Sequence, residues 1–294
     1  MAKLILDFYK PQESDIRNNI EELIFGLVKK HNQNELDKAV EQSTDWNLLY
    51  HLKSERGNIL TACDIKSSDE CLEIGSECGA LSEAILSYSE HLDCVELSKS
   101  KSEINYERNI NHNDLNIYAG DFSSLYPSLS KKYDKIFIVG SLAYASMYVK
   151  DKNPCMSLLK MVRELLKEDG HIFIAIDNKY GMKYFNGAKD EYSSRPFDSI
   201  VGGNNTFSSV QLRLMLKEAG FNDVYFYYPL PDYKFTNIIF SEDYLPEKGM
   251  IKNVAHSLDK ERTIVFSEDK ALTEAAASGT FELLTNSFLI RGGR

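Results

Sequence analysis

The sequence has little of what would mark several large classes of protein. Its five cysteines (Cys63, Cys71, Cys78, Cys94, Cys155) show no paired spacing and no Cys-x-x-Cys pair, so they read as reduced, buried thiols rather than a disulfide framework. Nothing has metal-ligand spacing. No apolar run approaches transmembrane length, and the opening MAKLILDFYKPQESD is broken too soon for a signal peptide. Basic residues are in deficit, 34 Lys and Arg against 44 Asp and Glu for a formal net charge of −10. That argues against a general binder of nucleic acid or anionic membranes, though it leaves room for a local basic pocket. The expectation is a cytoplasmic globular chain with no membrane insertion. Its 294 residues allow one large domain or a domain with an appendage.

Helical spacing (Ile16, Ile20, Leu23, Ile24, Leu27, Val28) marks residues 14–42, and a second helix is expected over 46–62. The division expected is a helical cap segment over 1–62, a central domain over 63–245 and a strand–helix–strand extension over 246–294. Within the central domain strands are expected at 70–74, 92–96, 115–118, 134–139 and 171–177. Helices are expected over 79–88, 98–110 and 154–168, with Gly170 as a left-handed cap. A polar, aromatic and glycine-rich stretch over 178–205 is too long for an ordinary loop and reads as functional. Helix 208–219 and a hairpin of 222–228 with 235–241 follow. The pattern implies a doubly wound α/β fold, a Rossmann-like seven-stranded sheet with one antiparallel strand.

The turn Glu73-Ile-Gly75-Ser-Glu77-Cys-Gly79 follows the first strand of the central domain, and Glu96 ends the next. Glycines allow close backbone approach to a ligand, and an acid about 20 residues on can hold both ribose hydroxyls. A dinucleotide fingerprint would need a glycine where Glu77 stands and another after Gly79. A carboxylate also mismatches a pyrophosphate at helix amides, so the nicotinamide reading weakens. A sulfonium cofactor without phosphate makes no such demand.

In order along the chain stand "LEIGSECGAL", "VELS", "AGDF", "YDKIFIVGSL" and "LLKEDGHIFIAI". Together they resemble class I S-adenosylmethionine-dependent methyltransferases over about residues 70–241. The resemblance implies S-adenosylmethionine as cofactor, with Glu73, Gly75 and Gly79 at its methionine end and Glu96 with Leu97 at the ribose. It implies Asp121 at the adenine amino group, Phe122 packed on the base, and Gly140 at the opposite strand end. Two plainer readings remain: Glu96 as a simple strand end and Asp121 as a helix N-cap.

The acceptor side is less defined. Open α/β sheets bind ligands beyond the carboxyl ends of their strands, which sets aside His91, His112 and His171 at the other edge. His51 can fold over the cofactor or serve structurally. Asp177-Asn178-Lys179-Tyr180 resembles the Asp-Pro-Pro-Tyr motif of amino-methylating DNA enzymes but lacks both prolines, and the acidic chain makes nucleic acid a minor option. "IDNKYGMKYFNGAKDEYSSRPFDSI", "TFSSVQLRLMLKEAGF", "FYYPLPDYKFTNIIFSEDYLP", "DWNLLYHLKSERGNIL" and "NSFLI" resemble a bacterial methyltransferase group associated with cell-surface polysaccharide biosynthesis. That resemblance implies methylation of a sugar or glycan precursor. Tyr144, Tyr180, Tyr184 and Tyr192 offer faces for sugar packing, and Asn178 and Lys183 offer hydrogen bonds. Where the group has histidine this chain has Tyr192, so Asp190, Glu191 or His51 is the expected proton acceptor. The alternatives are methylation of an amine on a small molecule, protein or nucleic acid, and a scaffold that keeps the fold without catalysis.

Overall fold

The computed structural model describes residues 1–11, 16–191, 193–202, 206–252 and 262–294. Among these residues nine strands form one sheet: β1 (Lys3–Ile5), β2 (Glu70–Ile74), β3 (His91–Glu96), β4 (Leu115–Ala119), β5 (Tyr133–Val139), β6 (Leu166–Asp177), β7 (Asp223–Leu230), β8 (Ile238–Ser241) and β9 (Ser287–Gly293). Their order across the sheet is β1-β4-β3-β2-β5-β6-β9-β7-β8. The six from β1 to β6 run parallel, whereas β9 opposes both β6 and β7, and β8 opposes β7.

The sheet therefore has nine strands rather than seven, and two reversed strands rather than one. The N-terminal KLI segment adds an edge beside β4, and β8 adds the other edge. The strand placed by sequence in a C-terminal extension lies inside the sheet. A buried position between two partners explains its unbroken apolar run Phe288-Leu289-Ile290. Gly292 is needed there, because a Cβ would meet Ile172 Cγ2 at 2.8 Å. The first strand expected in the 246–294 extension is not formed at residues 263–266.

The helices are α1 (Asn19–Val28), α2 (Gln33–Val40), α3 (Trp46–Leu52), α4 (Ala80–Leu86), α5 (Lys99–Arg108), α6 (Phe122–Leu125), α7 (Ala145–Tyr148), α8 (Pro154–Leu165), α9 (Met182–Phe185), α10 (Ser209–Glu218), α11 (Glu268–Ala277) and α12 (Phe281–Leu284). The helix expected over 14–42 is two helices. Each begins with a capping box, Asn18 with Glu21 and Asn32 with Glu35, and such a cap is worth about 1 kcal/mol. The segment expected as a helix over 46–62 is α3 followed by a 3-10 turn over Ser54–Ala62. Helix α8 stops at Leu165, and Gly170 lies within β6, where a Cβ would sit 2.9 Å from the Tyr133 carbonyl oxygen. Close approach, not a left-handed cap, is the reason for that glycine.

Alternation along the strands builds two cores. Leu72 and Ile74 join Leu158, Val162 and Leu216 on one face, while Cys71 and Cys94 join Leu81 and Ile85 on the other. A third cluster packs Ile24, Leu36 and Leu52 of the N-terminal helices on Cys78, Ile104 and Phe235. That cluster holds α3 above the carboxyl ends of the strands. The chain steps from β2 to β3 and β4 on one side, then returns to β5 on the other, so the topological switch falls between β2 and β5.

Candidate functional site

A cleft of about 520 Å³ opens at that switch. Four residues expected at the cofactor line it: Gly75, Glu96, Leu97 and Gly140. Gly75 follows β2 with φ +86°, and a Cβ there would lie 2.6 Å from Ser141 Cβ and 3.0 Å from the Tyr148 hydroxyl. Gly140 follows β5 with φ +78°, and its Cβ would lie 3.0 Å from the Tyr233 hydroxyl. Both strand ends thus bring bare backbone to the cleft. At the end of β3 the Glu96 Oε2 accepts from the Glu77 amide and Oε1 from the Ser98 amide, each at 2.9 Å. The residue is 4% exposed, and burial raises its carboxyl above the usual range. Each oxygen keeps a lone pair for a diol.

The other four cofactor candidates lie outside the cleft wall. Glu73 is buried, accepts from the Ser82 hydroxyl at 2.5 Å and meets the Cys94 thiol at 3.6 Å. Burial pushes its carboxyl up to about 7. Gly79, at φ +81°, faces Asn105, whose Oδ1 would be 2.3 Å from a Cβ. Asp121 caps α6, with Oδ1 accepting from the Ser124 amide at 2.8 Å and the Ser123 hydroxyl at 2.6 Å. Its Oδ2 accepts from the Ser124 hydroxyl at 2.8 Å. Burial raises that carboxyl, and the serine hydrogen bonds outweigh it to hold the group low. Phe122 is fully buried in the larger core.

Glu77 takes a left-handed conformation, φ +45°, which explains why a glycine suits such a turn. Its carboxylate lies 3.4 Å from Lys101 Nζ and 3.6 Å from His51 Nδ1. Burial raises this carboxyl, but the charges of Lys101 and, behind it, Arg56 hold it below its ordinary value. Burial drives His51 down to about 4 against the pull of Glu77, so the imidazole is neutral at pH 7 and its contact is no ion pair. Lys101, unforeseen in the sequence, is what neutralises the acid in the turn.

His51, beside the glycine turn, lines the cleft, and so do Tyr144, Lys183 and Glu191. Lys183 Nζ donates to Asp177 Oδ1 at 2.8 Å; Lys234 Nζ donates to Asp177 Oδ2 at 3.2 Å and lies 2.7 Å from Glu191 Oε1. Asp177, Lys183 and Lys234 are 5%, 3% and 2% exposed. Burial opposes the charge on Asp177, and the two ammonium groups outweigh it to hold the carboxyl low. Burial likewise opposes the charge on Lys234, and Asp177 with Glu191 keeps it protonated.

The remaining acceptor candidates are placed elsewhere. Asn178 is spent on structure, its Nδ2 donating to the Leu283 and Thr285 carbonyls at 2.8 and 2.7 Å. Tyr180 is half-buried and Tyr184 fully buried, both outside the lining. Asp190 accepts from the Ser193 amide at 2.9 Å and shapes the turn carrying Glu191. Tyr192 lies outside the described residues. The sequence reading missed Trp46 and Tyr50 from α3 and Tyr233 with Lys234 from the β7–β8 connection. It also missed Arg56, 5% exposed and stacked 4.0 Å from the Tyr50 ring centroid. Arg56 Nε and Ser76 Oγ have no hydrogen-bond partner among the described residues, and both residues line a pocket of about 20 Å³ under the glycine turn together with Glu73, the acid expected at the methionine end.

These features fit an adenosylmethionine: bare backbone at two strand ends, a diol acid, and unpaired buried donors suited to a carboxylate. The fold is that of the class I methyltransferases that use S-adenosylmethionine as cofactor. Residues 29–183 match the family described as Nodulation protein S (NodS), and the chain belongs to that family. It is 24% identical over 256 residues to the ribosomal RNA small subunit methyltransferase A of Borreliella afzelii (strain PKo), covering 87% of this chain and 81% of that one. A SAM-dependent methyltransferase from Archaeoglobus fulgidus has a similar structure at TM-score 0.52 and 15% identity, covering 85% of this chain and 100% of the other. Among the described residues no helix is long and apolar enough to cross a membrane.

Proposed function

We propose that this chain methylates a hydroxyl of a sugar or glycan precursor, as a member of the cytoplasmic methyltransferases that serve polysaccharide biosynthesis. The observation that carries this reading is that Glu96 and Gly75 share one cleft with Glu191, Lys183 and Tyr144. The cofactor supplies a methyl group already activated on a sulfonium. The protein then contributes alignment and a proton acceptor.

Glu96 would hold the ribose hydroxyls, and Arg56 with Ser76 the methionyl carboxylate. Glu191, half-exposed and held by Lys234, would take the proton from the acceptor hydroxyl. Tyr144 gives the sugar ring a face, and Lys183 orients a hydroxyl oxygen. His51, neutral and lining the same cleft, is the alternative acceptor of the proton. Asp190 acts by positioning Glu191.

Calorimetry with S-adenosylhomocysteine and with NAD tests the cofactor half; methyl transfer to a panel of sugars and amines tests the acceptor half. Transfer to amines alone would replace the hydroxyl reading. The ribosomal RNA methyltransferase relative suggests a second reading, with ribosomal RNA as acceptor. The net charge of −10 weighs against it.

A further inference from the structure

The acceptor half of the cleft carries more ammonium N–H donors than its hydrogen bonds use. Lys183 and Lys234 come from the segment after β6 and from the β7–β8 connection, and both are almost wholly buried in the wall. Lysine is rarely buried to this degree unless paired, and an ammonium has three N–H bonds to satisfy. Lys183 spends one on Asp177, and Lys234 spends one each on Asp177 and Glu191. Among the described residues Lys183 has two N–H bonds left and Lys234 has one. Lys189, exposed at the same cleft, makes no ion pair among the described residues. Asp177, Glu191 and the buried Asp232 match the three lysines in number, so what stands open in this wall is N–H donors rather than net charge.

The geometry points to an acceptor that carries an anionic oxygen group, a carboxylate or a phosphate, beside the hydroxyl that is methylated. This rests on the methyltransferase reading above and narrows its substrate. An anionic oxygen would satisfy the spare N–H donors with charge-assisted hydrogen bonds. A neutral sugar would fill them with weaker, uncharged hydrogen bonds, and an ammonium would bring further N–H donors where acceptors are wanted. The order of contact follows from exposure: Lys189 meets the anion at the rim, and Lys183 and Lys234 hold it inside.

The test is calorimetry on the full chain saturated with S-adenosylhomocysteine, using glucuronate, glucose 1-phosphate, glucose and glucosamine as probes. At least one anionic probe should bind about tenfold or more tightly than glucose and glucosamine, and its affinity should fall as salt rises. Which of the two binds separates carboxylate from phosphate. Lys189→Ala should weaken that binding about tenfold while leaving S-adenosylhomocysteine affinity unchanged. Glucose or glucosamine binding as tightly as both anions, no binding by any of the four, or an unchanged Lys189→Ala variant would overturn the inference. Failure to bind S-adenosylhomocysteine at the outset would remove the methyltransferase reading and this inference with it. Cofactor binding followed by indifference to charge would remove the inference alone.

Discussion

The Glu77 amide donates to Glu96 Oε2 at 2.9 Å, so the turn after β2 orients the acid that ends β3. The Ser98 amide fixes the other oxygen. Glu96→Gln keeps the shape but aims an amide NH₂ at one backbone donor. Calorimetry should show S-adenosylhomocysteine affinity falling by about 1.5–3 kcal/mol, and Glu96→Ala should do at least as much. An unchanged affinity in both would reduce Glu96 to a strand end.

Gly75→Ala should damage both stability and binding. Its Cβ would lie 2.6 Å from Ser141 Cβ at a backbone φ of +86°, a combination of overpacking and strain worth about 2–4 kcal/mol. Urea unfolding measures the loss, and a midpoint within error of the parent would contradict the close approach.

Much of this half of the site was legible in the sequence, because the turn, the strand spacing and the acid after β3 are local patterns. Gly75, Glu96, Leu97 and Gly140 sit where strand ends put them. Asp121 and Phe122 did not reach the cleft wall, because the hydroxyls of Ser123 and Ser124 give the acid a local task and the ring packs inward. Lys234, Tyr233, Arg56 and Lys101 carried no motif. They arrive through the hairpin connection, a 3-10 turn and a helix flank, and only three-dimensional packing brings them together. The place of β9 was hidden for a similar reason. Periodicity reports a strand but not its neighbours, and β9 pairs with segments over 100 and 62 to 70 residues away in sequence.

Glu73 gives stability a distinctive pH dependence. Its carboxyl is raised from 4.5 to about 7 in the fold, so between those values the folded state binds more protons than the unfolded state. The contribution of Glu73 is therefore most favourable in acid and declines as pH rises through 7. Glu73→Gln removes that dependence. Relative to the parent it should gain up to about 3 kcal/mol at pH 8, shrinking toward pH 5. Chemical denaturation at the two pH values checks the sign; a gain that grows in acid would contradict it.

Breaking the buried charge network should be costly. Asp177→Asn leaves Lys183 and Lys234 without their shared anion, and loss of one partner in a buried pair costs about 3–5 kcal/mol. The depressed carboxyl of Asp177 adds stability that is lost as pH falls through its low folded value. A thermal-unfolding series should show the variant less stable at pH 7, with the gap to the parent closing in strong acid.

Proton transfer separates the candidates for that role. Glu191→Gln should lower kcat by about 10²–10⁴ with cofactor affinity unchanged, while Asp190→Asn lowers kcat less and lowers stability as well. Steady-state kinetics with a methyl-labelled cofactor would show this. Rates unchanged from the parent in Glu191→Gln, Asp190→Asn and His51→Gln would remove all three from the reaction.

The most direct measurement is calorimetric titration of the intact chain with S-adenosylhomocysteine, in parallel with NAD and with the Glu96→Ala variant. Micromolar-range binding of the homocysteine nucleoside is expected (about −8 kcal/mol), lost in the variant, with no heat from NAD. Binding of NAD without S-adenosylhomocysteine would contradict the assignment of this cleft.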